Sequence, residues 1–189
     1  MDDPERRIRD ACEAGRFDVA TTLTIETYGG ELLGYLAALV RDAIEADDLF
    51  ASICEQLWTS IPEFRWDCSM RTFAYTLARN AWCRLVRDPR RKIAKTPLSD
   101  APLSAVIERV RTATAAHMKT ESKDRLAALR AELDPDDQTL LILRINRKLA
   151  WREIAIVMAD GEDVERKAAA LRKRFERLKV ELREKLAAQ

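Results

Sequence analysis

The chain has 189 residues, 47% of them apolar and 34% charged, with only five Gly and six Pro. That is material for one ordinary domain or two small ones, too apolar for intrinsic disorder and too poor in Gly and Pro for a loop-rich all-β fold. The longest apolar run, Leu32 to Val40, is far short of the ~20 residues that span a bilayer, and no cationic start leads into an apolar stretch as in a signal peptide. The expectation is a mainly helical, cytoplasmic protein without membrane insertion.

Residues 1–20 are polar and charged, with Phe17 and Val19 as anchors at the start of the fold. From Leu23 to Val40 apolar residues recur at helical spacing, interrupted by Gly29-Gly30. A second periodic stretch runs from Ile44 to Trp58, with Ile44, Leu49, Ile53 and Leu57 as its seam. Ile61-Pro62 ends it, because proline lacks the N–H that would continue a helix and disfavours helix in the residue before it. A third stretch begins at Ser69, a fitting N-cap, and runs to about Arg87, before Asp88-Pro89. Phe73, Leu77, Ala81 and Leu85 stand four apart and predict its apolar face. Arg71, Tyr75, Arg79, Trp82 and Val86 fall on another stripe, cationic and aromatic together.

After Arg90-Arg91-Lys92 the chain turns linker-like, with Pro97 and Pro102 among Ser, Thr and Ala, and a short helix is expected only around Val106–Val110. Three or four short helices follow. Arg125 to Leu133 is the first. Asp134-Pro135-Asp136-Asp137 then supplies an N-cap, a proline at the first helical position and acids at the positive end of the helix dipole. Leu140, Leu141, Leu143 and Ile145 are that helix's expected buried side. Trp151 to Met158 and a long basic helix from about Asp163 to Leu186 close the chain, separated by Asp160-Gly161. The fold class expected is all-α, two small helical domains over 1–94 and 123–189 joined by a linker over 95–122.

The net charge of +1 hides an asymmetry. Residues 1–64 carry 5 basic and 14 acidic side chains, residues 65–95 carry 9 and 2, residues 96–161 carry 10 and 10, and residues 162–189 carry 9 and 6. An acidic segment followed directly by a basic one suggests two partner surfaces of opposite sign. The competing reading is that these charges only solvate helix faces.

Chemistry of an enzymatic kind finds no support. Cys12, Cys54, Cys68 and Cys83 are widely spaced, and the one histidine, His117, is far along the chain from them. Zinc ligands come in close pairs, so these read as free thiols in a reducing compartment, and neither a metal nor another cofactor is expected. A Gly-rich phosphate loop, a G-x-S-x-G elbow and an H-E-x-x-H pair are all missing.

Binding is the alternative. Single-stranded nucleic acid needs cations to track phosphates and rings on which bases stack. Arg65-Trp66, followed by the Arg71/Tyr75/Arg79/Trp82 stripe, offers both, and Asn80 adds an amide able to read a base edge. Burial against a neighbouring helix is the competing account of Tyr75 and Trp82. Near the C-terminus, the helix Trp151–Met158, a turn at Gly161 and a helix bearing Arg166, Lys167, Arg172, Lys173 and Arg174 suit a helix-turn-helix in a DNA major groove. A helical hairpin with a wet outer face fits the same pattern.

Ala46-Asp47-Asp48-Leu49, Trp58, Ile61-Pro62-Glu63-Phe64-Arg65 and Ser69 through Asn80 resemble bacterial extracytoplasmic-function (ECF) sigma factors, whose pattern runs A-E-D-L-V-Q-E-T-F-L-R-A-W, then L-P-x-F-R-G-x-S-S-F-R-T-W-L-Y-R-I-A-R-N. Leu133–Asp137, Leu149–Ala155 and the basic final helix are similar to the family's second DNA-binding domain. The resemblance implies a non-enzymatic subunit that docks on core RNA polymerase through Asp47, Asp48, Leu49, Ala51, Ser52 and Glu55. It implies that Arg65, Trp66, Asp67, Ser69, Arg71, Thr72, Tyr75, Arg79, Asn80 and Trp82 bind the opened minus-ten element of promoter DNA. Arg152, Arg166, Lys167, Arg172, Lys173 and Arg174 would contact the minus-thirty-five duplex, and an inhibitory anti-sigma factor is the further partner implied.

The chain departs from the pattern in places. Ala51-Ser52 replace the family's Q-E, Trp66 stands where glycine is usual, the turn Asp160-Gly161-Glu162-Asp163 is acidic, and Lys167-Ala168-Ala169-Ala170 replace V-K-S-R. Two other functions suit the residues. A helix-turn-helix regulator acting on duplex DNA without polymerase would bind an operator tightly by itself. A protein-binding adaptor would show no dependence on DNA.

Overall fold

The computed structural model describes residues 3–40, 42–87, 101–121, 132–159 and 161–187. Helix is the dominant element among them and no strand occurs. The chain divides into two compact units, 1–121 and 122–189.

The first unit is built around one helix. α1 (Pro4–Glu13) is capped by Asp3, whose side chain accepts from the Glu5 N–H, and buries Ile8 and Ala11. It is a helix that the polar composition of residues 1–20 does not announce. α2 (Phe17–Leu39) runs without a break through Gly29-Gly30 and is contacted by α1, α3, α4 and α5. A helix so surrounded needs apolar or self-satisfied residues on every side. Its buried Thr21 and Thr24 meet that demand by donating to the carbonyls of Phe17 and Ala20. α3 (Ala43–Ser60) starts at Asp42, whose carboxylate accepts from the N–H groups of Ile44 and Glu45. It ends in a short 3₁₀ turn, Ile61–Glu63, at the expected proline. Leu49, Ile53 and Leu57 lie in the core, but Ile44 is 70% exposed and does not join their seam.

α4 (Met70–Arg87) begins where Ser69 predicts, with the Ser69 hydroxyl accepting from the Thr72 N–H at 3.0 Å. Its buried face is rotated from the expected one. Ala74, Tyr75, Ala78 and Arg79 are buried, and of the expected face Ala81 is buried too, whereas Phe73, Leu77 and Leu85 are only half-buried. The small alanines let α4 lie close against both α2 and α3, and the Tyr75 ring fills the remaining gap edge-on against Tyr35, with centroids 5.5 Å apart.

Inside the segment expected to be linker, Ala101–Glu121 form α5, which clusters with the first unit. Leu103, Val106, Ile107 and Val110 recur at i, i+3, i+4 and i+7, and all four are buried. That stripe packs mainly on α2. The basic run Arg90-Arg91-Lys92 lies outside the described residues.

In the second unit, α6 (Pro135–Leu141) is capped as its sequence predicts, Asp134 accepting from the N–H groups of Asp136 and Asp137 at 3.0 Å. It passes into a π-helical turn, Ile142–Asn146, which carries Ile145 outward to 56% exposure instead of into the core. α7 (Trp151–Met158) starts with Glu153 accepting from the Ala150 N–H. A turn containing Gly161, at φ +85°, leads into α8 (Val164–Ala187). Ile154, Val157, Met158, Leu171, Phe175 and Leu178 form the core between α7, α8 and α6. The helix expected over Arg125–Leu133 lies outside the described residues up to 131.

Candidate nucleic-acid and protein interfaces

The start of α4, where the loop from the 3₁₀ turn enters it, is held from α1 and from α2. Glu5 on α1 reaches the start of α4, its carboxylate accepting from the N–H groups of Met70 (2.9 Å) and Arg71 (3.0 Å) and from the Tyr28 hydroxyl (2.7 Å). Burial, and then the bond to Glu5, push the Tyr28 phenol up. A carboxylate on the first free N–H groups of a helix also meets the positive end of its dipole. On the neighbouring side Arg71 is held by Glu31 in a two-pronged pair, both bonds 2.7 Å, with its guanidinium over the Tyr75 ring.

Within this frame three half-buried rings meet. Phe64 stacks on Phe73 (centroids 4.6 Å, 29° between planes) and leans on Trp66 (5.0 Å), while the Arg9 guanidinium caps Trp66 at 4.8 Å. Trp66 stands at φ +62°, the left-handed region. That conformation costs a residue with a Cβ roughly 1–2 kcal/mol and explains why glycine is usual at such a place. Arg65 and Asp67 flank the rings in solvent. From Phe73 the outward face of α4 continues through Leu77, Asn80, Arg84 and Arg87, the last three exposed. Rings at one end and cations along the track are what a single strand requires.

The expected positions differ in exposure. Tyr75 is fully buried, Arg79 is 4% exposed and Thr72 is buried, so none of the three presents a surface to DNA in this structure. Arg71 is half-buried in its pair with Glu31, and Ser69 is occupied as the cap of α4. Trp82 is half-buried; Arg65, Trp66, Asp67 and Asn80 remain accessible. Phe64, Phe73, Arg84 and Arg9 join the accessible set. For the first two an aromatic pair bracketing a proline-ended loop and a helix start was a usable signal. Arg9 gave none, since it meets Trp66 across 57 positions of sequence.

On α3, Asp47, Asp48, Ala51, Ser52 and Glu55 are half-buried and share one side with exposed Ile44, while Leu49 lies in the core beneath them. Burial pushes the Asp47 carboxyl above its ordinary value, with the Arg111 guanidinium partly opposing.

In the second unit, Arg174 is turned inward along α8. It donates to Asp137 and to both oxygens of Asp134, clasping the start of α6. Its pKa is raised chiefly by the Asp137 bond. Arg172 and Arg144 lie over the faces of Trp151 at 5.7 and 4.7 Å. Lys167 pairs with Glu162 at 3.1 Å, and Arg152 with Glu165 at 3.7 Å, the latter pair exposed and worth little. Arg166 and Lys173 are exposed on the outward face, beside Ala169 and Ala170.

Among the described residues no group of three or more His, Cys, Asp or Glu side chains is arranged to hold a metal, and no helix is long and apolar enough to cross a membrane. Residues 24–92, just over a third of the chain, match the family model for sigma-70 region 2. The match covers most of α2, all of α3, the ring-bearing loop and α4. No curated protein matches the chain.

Proposed function

We propose that a chain built on a sigma-70 region 2 domain, followed in sequence by a second helical unit, is a sigma factor of the ECF type. It docks on core RNA polymerase, directs it to promoters and assists in opening them, acting in the cytoplasm by binding alone. The observation that carries this reading is the half-exposed Phe64–Trp66–Phe73 cluster, flanked by Arg65 and Arg9, inside the matched segment. Bases freed from the minus-ten duplex stack on these rings, and the few kcal/mol spent on unstacking are offset by the contacts made in the open state. Asn80, Arg84 and Arg87 extend the track. The acidic side of α3, with Ile44 as an apolar anchor, faces the polymerase.

The second unit reads the upstream element as duplex through α8, with Arg166 and Lys173 exposed on its outward face. Inward-turned Arg174 and the two alanines leave few long donors for base edges, so upstream readout rests more on phosphates than on bases.

The test is transcription in vitro by bacterial core polymerase on a promoter library, with and without the chain. Initiation that depends on the chain is expected. A chain that supports no initiation, yet binds one duplex tightly by itself, would be a helix-turn-helix regulator instead.

A further inference from the structure

We infer that α5 is an intramolecular cover over part of the polymerase-docking face, and that docking requires it to lift from α2 and α3. The inference rests on the sigma-factor reading above.

α5 lies outside the matched residues 24–92, so it is an addition to the region 2 domain. Its seat on α2 is prepared by the paired glycines. A Cβ at position 29 would lie 3.0 Å from Val110 Cγ1 and 3.2 Å from Phe50 Cζ, and one at position 30 would lie 3.3 Å from Thr114 Oγ1. Two glycines in mid-helix carry a propensity cost, and the close approach of α5 is what they gain.

The seat reaches across to α3. Arg111 donates through Nη2 to the Asp47 carbonyl at 2.9 Å, and its Nε stands 3.9 Å from the Asp47 carboxylate. Asp47 is the first residue of the acidic docking patch, and α5 supplies it with a cation from within the chain. A polymerase surface that offers its own cation to Asp47 meets Arg111 already there.

The cover is releasable in its makeup. Four aliphatic side chains form its seam, and Thr114 rather than an apolar residue meets Gly30. Among the described residues it also grips α2 through the largely exposed Arg109–Glu26 pair at 2.7 Å, a contact that salt screens. An apparent affinity is reduced by the fraction of molecules in which the competent state is closed off.

The position 30 geometry also provides the test, since the separation suits a disulfide. In the full chain, Gly30→Cys with Thr114→Cys is oxidised to lock α5 down, and binding to core polymerase is measured before and after reduction. The wild-type chain, with its four native cysteines, is treated identically. Locking is expected to weaken binding at least about tenfold, with recovery on reduction, and Arg111→Glu is expected to strengthen it several-fold.

A locked chain that binds as tightly as the reduced one overturns the inference, as does failure of the two cysteines to cross-link. Weaker binding by Arg111→Glu also overturns it, because α5 would then be part of the docking surface. If the wild-type chain and all variants fail to bind polymerase, the sigma-factor reading itself falls and takes the inference with it.

Discussion

Glu5 is the residue on which the ring-bearing loop most depends, and its removal is a sharp test of the fold. Its carboxylate accepts three hydrogen bonds, two from the first free N–H groups of α4 and one from the Tyr28 hydroxyl. Hydrogen bonds to a charged group contribute about 1.5–3 kcal/mol each when buried. These are only partly buried, and water can enter the space that Glu5→Ala leaves, so their sum must be cut by about half. A loss of roughly 2–4.5 kcal/mol is expected, against about 1 kcal/mol for Asp3→Ala, which removes only the cap of α1. Glu5→Gln keeps one acceptor but turns donors toward donors, so it should fall between the two. For a unit of about 120 residues each kcal/mol is worth roughly 3–5 °C in Tm. Thermal and urea unfolding followed by far-UV circular dichroism would measure it, the shift falling on the transition of the first unit alone. If Glu5→Ala costs less than ~0.5 kcal/mol, the claim that α1 anchors the start of α4 is wrong.

Other outcomes follow from the same geometry. Trp66→Gly relieves a left-handed strain of roughly 1–2 kcal/mol while losing contacts with Phe64 and Arg9, so stability should change little. Affinity for a single-stranded minus-ten oligonucleotide should fall by about 1–3 kcal/mol; unaltered binding in a fluorescence titration would count against the ring platform. Arg174→Ala exposes Asp134 and Asp137 to each other and should destabilise the second unit by about 1–2 kcal/mol after allowing for partial exposure. Arg166→Ala with Lys173→Ala should leave that stability intact and lower the salt slope of duplex binding by about two. Burial drives the Cys54 thiol far up, so iodoacetamide should label it much more slowly than Cys68, and raising the pH from 7 to 9 should not close the gap. Because its folded pKa is the higher one, the stability it contributes is complete below the ordinary thiol range. Above that range it falls by about 1.4 kcal/mol per pH unit, which denaturation at pH 8 and 10 would detect.

Much of the architecture was legible from local signals. Ser69 and the Asp134-Pro135 pair fix helix starts through chemistry within three residues of themselves, and both starts stand where they were expected. The faces of α4 were not legible in that way. Hydropathy favours Phe73 and Leu77 as core, but close packing on two helices at once selects the alanine side, and Tyr75 and Arg79 go in with it. Which residues form the accessible patch thus depends on tertiary contacts that periodicity does not carry. The same holds for Arg9, which meets Trp66 across 57 positions, and for Glu5, which holds the start of α4 from 65 and 66 positions away. For α5, the proline- and alanine-rich composition suggested a tether, while the i, i+3, i+4, i+7 stripe that makes it a packed helix was present from Leu103 onward. Gly29-Gly30, read as an interruption of α2, mark where α5 lies against it.

Those two glycines bear on how the protein can be divided. A fragment ending near residue 94 would retain every position of the recognised domain and yet leave a bare trough along α2, floored by Phe50 and lacking the aliphatic ridge that fills it. Trimmed to that boundary, the piece should self-associate or need a foreign helix to stay in solution; extended to residue 121, it carries its own lining.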